Sequence, residues 1–188
     1  IETLGGLFDL GLNVNSVNLD LGTPTVGAIA EGWGEDRSRL AQLKQPWTMD
    51  LAREALRKLS AAQKTSSIVI SDLPGKITDI TRLLVSKADA CVLLSRDWEL
   101  LAKEWAPEMK NLGVPIIGKV RSRLANEGLP SMVTSYIPGE MISGRAIELV
   151  RVEKDNDPFI SWLAMFLLFD ILPTQFGGVA KNEEKINI

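Results

Sequence analysis

The residues best placed to do chemistry are carboxylates that follow short apolar runs. In Ser67 to Lys76 (SIVISDLPGK) a run of strand type delivers Asp72 at its carboxyl end, and Pro74-Gly75 then turns the chain toward a helix. Ligands of open α/β sheets bind outside the carboxyl ends of the strands. A carboxylate there can hold Mg²⁺, directly or through water, and a glycine amide can approach a terminal phosphate with no Cβ in the way. Asn18-Leu19-Asp20-Leu21-Gly22-Thr23-Pro24 repeats the arrangement, with Asp20 near a strand end before a Gly/Pro turn. Asp20 can serve as a metal or water ligand, or as a general base toward a bound hydroxyl. The plainer alternatives are a type II turn at Pro74-Gly75 with Asp72 as a cap, and a solvated turn carboxylate at Asp20.

Composition narrows the chemistry further. The 188 residues contain no histidine and a single cysteine, Cys91. Zinc sites of the Cys/His kind, Ser-His-Asp and Cys-His catalysis, and a disulfide scaffold are all excluded. What remains is carboxylates, Lys/Arg, hydroxyls, backbone amides or an oxygen-bound metal such as Mg²⁺. Lys+Arg number 21 and Asp+Glu 24, a net charge of −3, with 45% hydrophobic residues. Those values describe a folded chain with ample core, and they argue against bulk nucleic-acid binding, though not against a small basic patch. No run of about 18 apolar residues is present, so no membrane-spanning helix is expected. With no signal peptide and no paired cysteines, the cytoplasm is the expected compartment.

The elements that must hold these residues alternate along the chain. Helices are expected over Ile1 to Leu12, over Thr48 to Ala62 with Thr48 as N-cap, from about Ile77 to Lys87, and from Asp97 to Leu112 ending at Gly113. A further helix is expected from Pro158 to Leu172, opened by Asp157-Pro158. Strands are expected at Ser16 to Leu21, Ser67 to Ser71, Ala90 to Ser95 and Val114 to Val120, with short ones at Met132 to Ile137 and Ala146 to Val152. Apolar strands separated by helices indicate a mainly parallel sheet covered on both faces, a three-layer α/β/α domain with right-handed crossovers. One domain over residues 1–180 and a polar tail over 181–188 are expected.

The order of these motifs resembles the P-loop NTPases. A helix, a strand ending in Asp20-Leu21-Gly22, a helix and a strand ending in Asp72-Leu73-Pro74-Gly75 are most similar to the partition, dethiobiotin-synthesis and related ATPases and kinases of the SIMIBI class. The resemblance covers roughly residues 1–124. It implies a Mg²⁺-dependent domain for ATP or GTP that transfers the terminal phosphoryl group to water or to another acceptor. In that family the first aspartate lies near the attacking group, the second is the Walker B residue, and its glycine faces the terminal phosphate. By resemblance those roles fall on Asp20, Asp72 and Gly75. The family's phosphate loop, G-x-x-x-x-G-K-[ST], does not occur in these residues. The resemblance would place it before Ile1. The alternative is a non-catalytic regulatory module that never carried one. Pro46-Trp47-Thr48, Asp72 to Lys76 and Leu93-Leu94-Ser95 also resemble the kinase-like domain of some CRISPR-associated accessory proteins.

Other residues are candidates of lesser rank. Lys76, Lys119 and Arg121, with Arg123 and Arg37, can supply cations to phosphate; a solvated basic edge is the alternative for the strand residues. Glu31-Gly32-Trp33-Gly34-Glu35-Asp36-Arg37 is a long polar loop that can carry substrate contacts. Trp98, Trp105 and Trp162 are expected to fill core or interface, and Cys91 to be a packed small hydrophobe. The apolar Pro158 to Leu172 helix leaves an assembly role open.

Overall fold

The computed structural model describes residues 12–21, 46–123, 129–147 and 157–173. The expected helix at Ile1 to Leu12 (Leu12 excepted), the Glu31 to Arg37 loop and the 181–188 tail lie outside them. No helix among the described residues is long and apolar enough to cross a membrane. The chain divides into two compact units, one ending at Ala88 and the other running on from Asp89. Both are α/β, with mostly parallel, open sheets.

In the first unit, strand β1 (Val14–Asn18) pairs in parallel with β2 (Ile68–Asp72). Helix α1 (Met49–Thr65) connects them, and α2 (Asp79–Val85) follows β2. Thr48 caps α1 as expected, its hydroxyl accepting from the Leu51 amide at 3.3 Å. Ala55 and Leu59 of α1 pack with Leu19 and Leu84, all nearly inaccessible to solvent. Small residues on the buried stripe let the helix lie close to the strands. The first strand begins and ends earlier than Ser16 to Leu21, and Leu19, just past its end, enters this core. Helix α2 is shorter than Ile77 to Lys87, since the Thr78 hydroxyl caps it by accepting from the Thr81 amide.

The second unit holds a four-stranded sheet in the order β3-β4-β6-β5, formed by β3 (Cys91–Ser95), β4 (Ile116–Arg123), β5 (Met132–Ile137) and β6 (Met141–Ile147). β3, β4 and β6 are parallel, whereas β5 runs antiparallel to β6. The hairpin was not expected, and the last strand starts at Met141 rather than Ala146. Pro138-Gly139 makes the turn: Gly139 has φ +71°, and the Glu140 amide donates to the Ile137 carbonyl at 3.0 Å, the geometry of a type II turn. Apolar strands covered on both faces were expected, yet Leu94 on the edge strand β3 is 55% exposed.

Between β3 and β4 the helical segment runs as α3 (Trp98–Leu100), a π-helical turn (Leu101–Trp105) and α4 (Ala106–Leu112), closed by Gly113 at φ +70°. Helix α5 (Pro158–Phe166) likewise passes into a π-helical turn (Leu167–Ile171). Each π turn ends two residues before a proline, Pro107 or Pro173. Proline offers no N–H to the carbonyl four residues back, and its ring crowds that carbonyl, so the preceding turn widens.

Helix α5 is tied down at its start. Asp157 accepts from the Phe159 amide at 2.9 Å and from the Ser131 hydroxyl, which in turn accepts from the Ile147 amide. Phe159 lies directly on Gly144 of β6, and Phe159, Phe166 and Ile171 close a core with Val120, Ile142 and Ala146. Trp162 is 54% exposed, which takes it out of this core and leaves the interface alternative of the expectation.

A Cβ at Gly144 would overlap both the Phe159 ring and the Met132 carbonyl, and the latter cannot rotate away. Gly144→Ala is expected to destabilise the protein by about 1–3 kcal/mol. The loss should appear as a lower denaturant midpoint at unchanged m. Trimming the ring in Gly144→Ala/Phe159→Leu should not restore it fully, because the carbonyl clash remains.

Candidate functional site

Because β1 and β2 are parallel, their carboxyl ends lie together. The register pairs Asn18 with Asp72, and one more bond, Leu19 N–H to the Asp72 carbonyl at 2.8 Å, carries the pairing past the strand end. Leu19 is 1% exposed and anchors the chain there. Asp20 follows at once, its amide donating to the Asn18 side-chain carbonyl at 2.8 Å in an Asx turn. The structure thus brings Asp20 and Asp72 to one end of one parallel pair. Asp72 is exposed, and its carboxylate has no hydrogen bond or ion pair among the described residues.

Neither plain reading of the Asp72 turn survives. The cap of α2 is Thr78, so Asp72 caps nothing. Pro74-Gly75 is not a type II turn either, since Gly75 lacks the positive φ that Gly139 shows after its own proline. A Cβ at Gly75 would meet nothing within 4 Å. The fold itself therefore makes no demand for glycine at that position. What holds the Gly75-Lys76 segment is the Thr81 hydroxyl, which bonds the Lys76 carbonyl at 2.7 Å and comes within 3.0 Å of the Thr78 hydroxyl. Thr81 is only 1% exposed, so this anchor is a buried polar group with its bonds made. Sequence reading missed Thr81. A threonine three residues beyond the cap, on the core side of a short helix, was the available signal.

Two carboxylates at one strand end suit a hard cation such as Mg²⁺, which keeps waters and takes phosphate oxygens for its remaining positions. Among the described residues no group of three or more His, Cys, Asp or Glu gathers into a closed metal cage. An open concavity of about 510 Å³ runs along the start of α1, lined by Thr48, Asp50, Glu54 and Arg57 among others; none of Asp20, Asp72 and Gly75 lines it. It has no apolar enclosure of the sort that buries a small ligand.

Lys119 and Arg121 belong to the second unit, where they alternate along β4. Register places Arg145 of β6 beside Arg121, a third cation that sequence reading did not single out. Arg37 lies outside the described residues.

Cys91 opens β3, and burial pushes its thiol up to about 11. At pH 8 only about one thiol in a thousand is then thiolate, so Cys91 is no nucleophile. Reaction with a disulfide reagent such as DTNB at pH 8 is expected to be slow for the folded protein and fast in denaturant. Equal rates in both would contradict the packing at β3.

No family model matches the sequence, and no curated protein matches it.

Proposed function

We propose that the unit around β1 and β2 is a Mg²⁺-dependent nucleotide site. In this reading the protein is an ATPase or kinase that transfers the terminal phosphoryl group of ATP or GTP to water or to another acceptor. The observation that carries the reading is the exposed carboxylate of Asp72, without a hydrogen bond or ion pair among the described residues, at the same strand end as Asp20 and followed by a glycine at which a Cβ would meet nothing within 4 Å. The carboxyl end of a parallel pair is where open α/β sheets bind their ligands, which supports the reading.

Each residue then has a task. Asp72 orients the cation, either directly or through water. The Gly75 amide meets the terminal phosphate, and Lys76, exposed next to it, adds positive charge. Asp20 orients the attacking water or hydroxyl. Mg²⁺, when bound, neutralises charge on the phosphate oxygens. Phosphoryl transfer is mostly positioning and charge neutralisation, which this set can share. The reading also requires a phosphate cradle that the 188 residues do not contain. A second reading keeps the nucleotide-type fold as a regulatory module with no catalysis.

Binding is tested by thermal shift with ATP and GTP, with and without Mg²⁺. A ligand at a hundredfold excess over Kd adds about 2.7 kcal/mol of stability. Mg²⁺-dependent stabilisation by either nucleotide is expected, and Asp72→Asn should abolish it while changing unliganded stability by less than about 0.5 kcal/mol, as for an exposed side chain. If neither nucleotide shifts Tm, or if the shift survives in Asp72→Asn, the reading fails.

Gly75→Ala separates folding from function at the same site. With open space around the new methyl and no left-handed backbone to strain, stability should be unchanged or raised by about 0.4–1 kcal/mol. Nucleotide stabilisation should fall. A Gly75→Ala protein that binds nucleotide normally would remove Gly75 from the site.

A further inference from the structure

The four-stranded sheet carries half-buried cations that the nucleotide reading does not use, with Leu93 and Ser143 buried on either side of Lys119. Lys119 and Arg121 are two residues apart on β4 and so share a face. The register sets Lys119 between Leu93 of β3 and Ser143 of β6, and Arg121 between Ser95 and Arg145. Arg145 is paired on its other side with Met132 of β5. Three cations therefore sit at neighbouring positions, with strands about 4.8 Å apart and alternate residues about 6.6 Å apart. The residues that register puts beside them are all neutral. The opposite face is the one that Phe159 covers at Gly144.

This arrangement costs stability as it stands. Arg121 and Arg145 are like charges directly opposite each other on adjacent strands, which is unfavourable. Arg145 is held in place by neutral acceptors: Nε donates to the Pro130 carbonyl at 3.0 Å, and one Nη lies 3.1 Å from the Met132 sulfur. Those contacts orient its guanidinium without cancelling its charge. The Nε of Arg121, like that of Arg123 two residues further along β4, is shut off from solvent and has no hydrogen-bond partner among the described residues. A buried donor left unbonded is a penalty, and one on a charged group is a larger one. Among the described residues neither Lys119 nor Arg121 has a carboxylate partner.

We propose that this face is an oxyanion site that takes the phosphate or pyrophosphate group of a small ligand. Such a group offers several acceptor oxygens and two or more negative charges, matching two guanidinium forks and an ammonium. A compact anion can reach a half-buried arginine, whereas the backbone of a nucleic-acid strand tracks cations along an open groove. The proposal does not rest on the reading of Asp20 and Asp72.

The test uses the full chain in the Asp72→Asn background without Mg²⁺, so that the other site does not contribute. Inorganic pyrophosphate is titrated by calorimetry and thermal shift, with sodium chloride at matched ionic strength as control, and ATP in a parallel arm. Saturable binding of pyrophosphate is expected, and Arg121→Met or Arg145→Met should weaken it by about tenfold or more, the worth of a bond to a charged group. Either variant should also melt higher than its parent when no anion is present, since the opposed charge is gone. Lys119→Gln, a milder change, should weaken binding in the same direction. ATP binding as tightly as pyrophosphate and losing affinity in the same variants would assign the site to a nucleotide's phosphates. Pyrophosphate alone would assign it to a smaller phosphate ligand. The proposal is overturned if sodium chloride reproduces the effect, if the variants bind as their parent does, or if a single-stranded oligonucleotide binds while pyrophosphate does not.

Discussion

The candidate site hangs on one hydrogen bond beyond the regular ladder, from the Leu19 amide to the Asp72 carbonyl. Parallel pairing alone would bring Asn18 beside Asp72 and leave the next residues free to diverge. The added bond, together with burial of the Leu19 side chain under α1, fixes where the first strand stops. The Asx turn at Asn18 then fixes the Asp20 backbone just beyond that end. On the other strand the corresponding work is done by Thr81, whose buried hydroxyl holds the Lys76 carbonyl and so fixes the path after Gly75. Both residues are thus placed by backbone contacts, and among the described residues the Asp72 carboxylate has no hydrogen bond or ion pair.

Much of this was legible in the residues. Thr48 and Asp157 as caps, Gly113 as a helix terminator and the apolar runs at Ile68 and Cys91 all rest on local rules, and local rules travel well from sequence to structure. Asp20 and Asp72 could be paired in advance because strand ends are marked by turn residues. What escaped was set by contacts distant in sequence. Arg145 became a neighbour of Arg121 only through the register of β4 and β6, which no spacing within either strand reveals. The Pro-Gly dipeptide shows the limit from the other side. It occurs at residues 74–75 and 138–139, and only the second builds a type II turn, because only there do two strands have to reverse.

The two units share a habit of leaving polar groups poised. Among the described residues Asp72 stands exposed with no hydrogen bond or ion pair, and the half-buried Arg121 has an unbonded Nε. Folding disfavours the unbonded guanidinium nitrogen, and proteins tend to place such local conflicts where something binds. The opposite signs of the two sites would suit different ligand groups, a hydrated cation in one and phosphate oxygens in the other.

The π turns have a consequence for how the helices meet their cores. Leu101 and Met109, both deeply buried, are eight residues apart, and Phe166 and Ile171 are five apart. In an unbroken α-helix a spacing of five would rotate the second side chain by about 140° from the first. The wider turn absorbs one surplus residue, so both side chains still face inward. Each helix therefore carries what amounts to a tolerated single-residue insertion, with phase restored before the next contact. A hydrophobic pattern read at 3.6 residues per turn would put Phe166 and Ile171 on different faces, while the folded chain keeps them in one core.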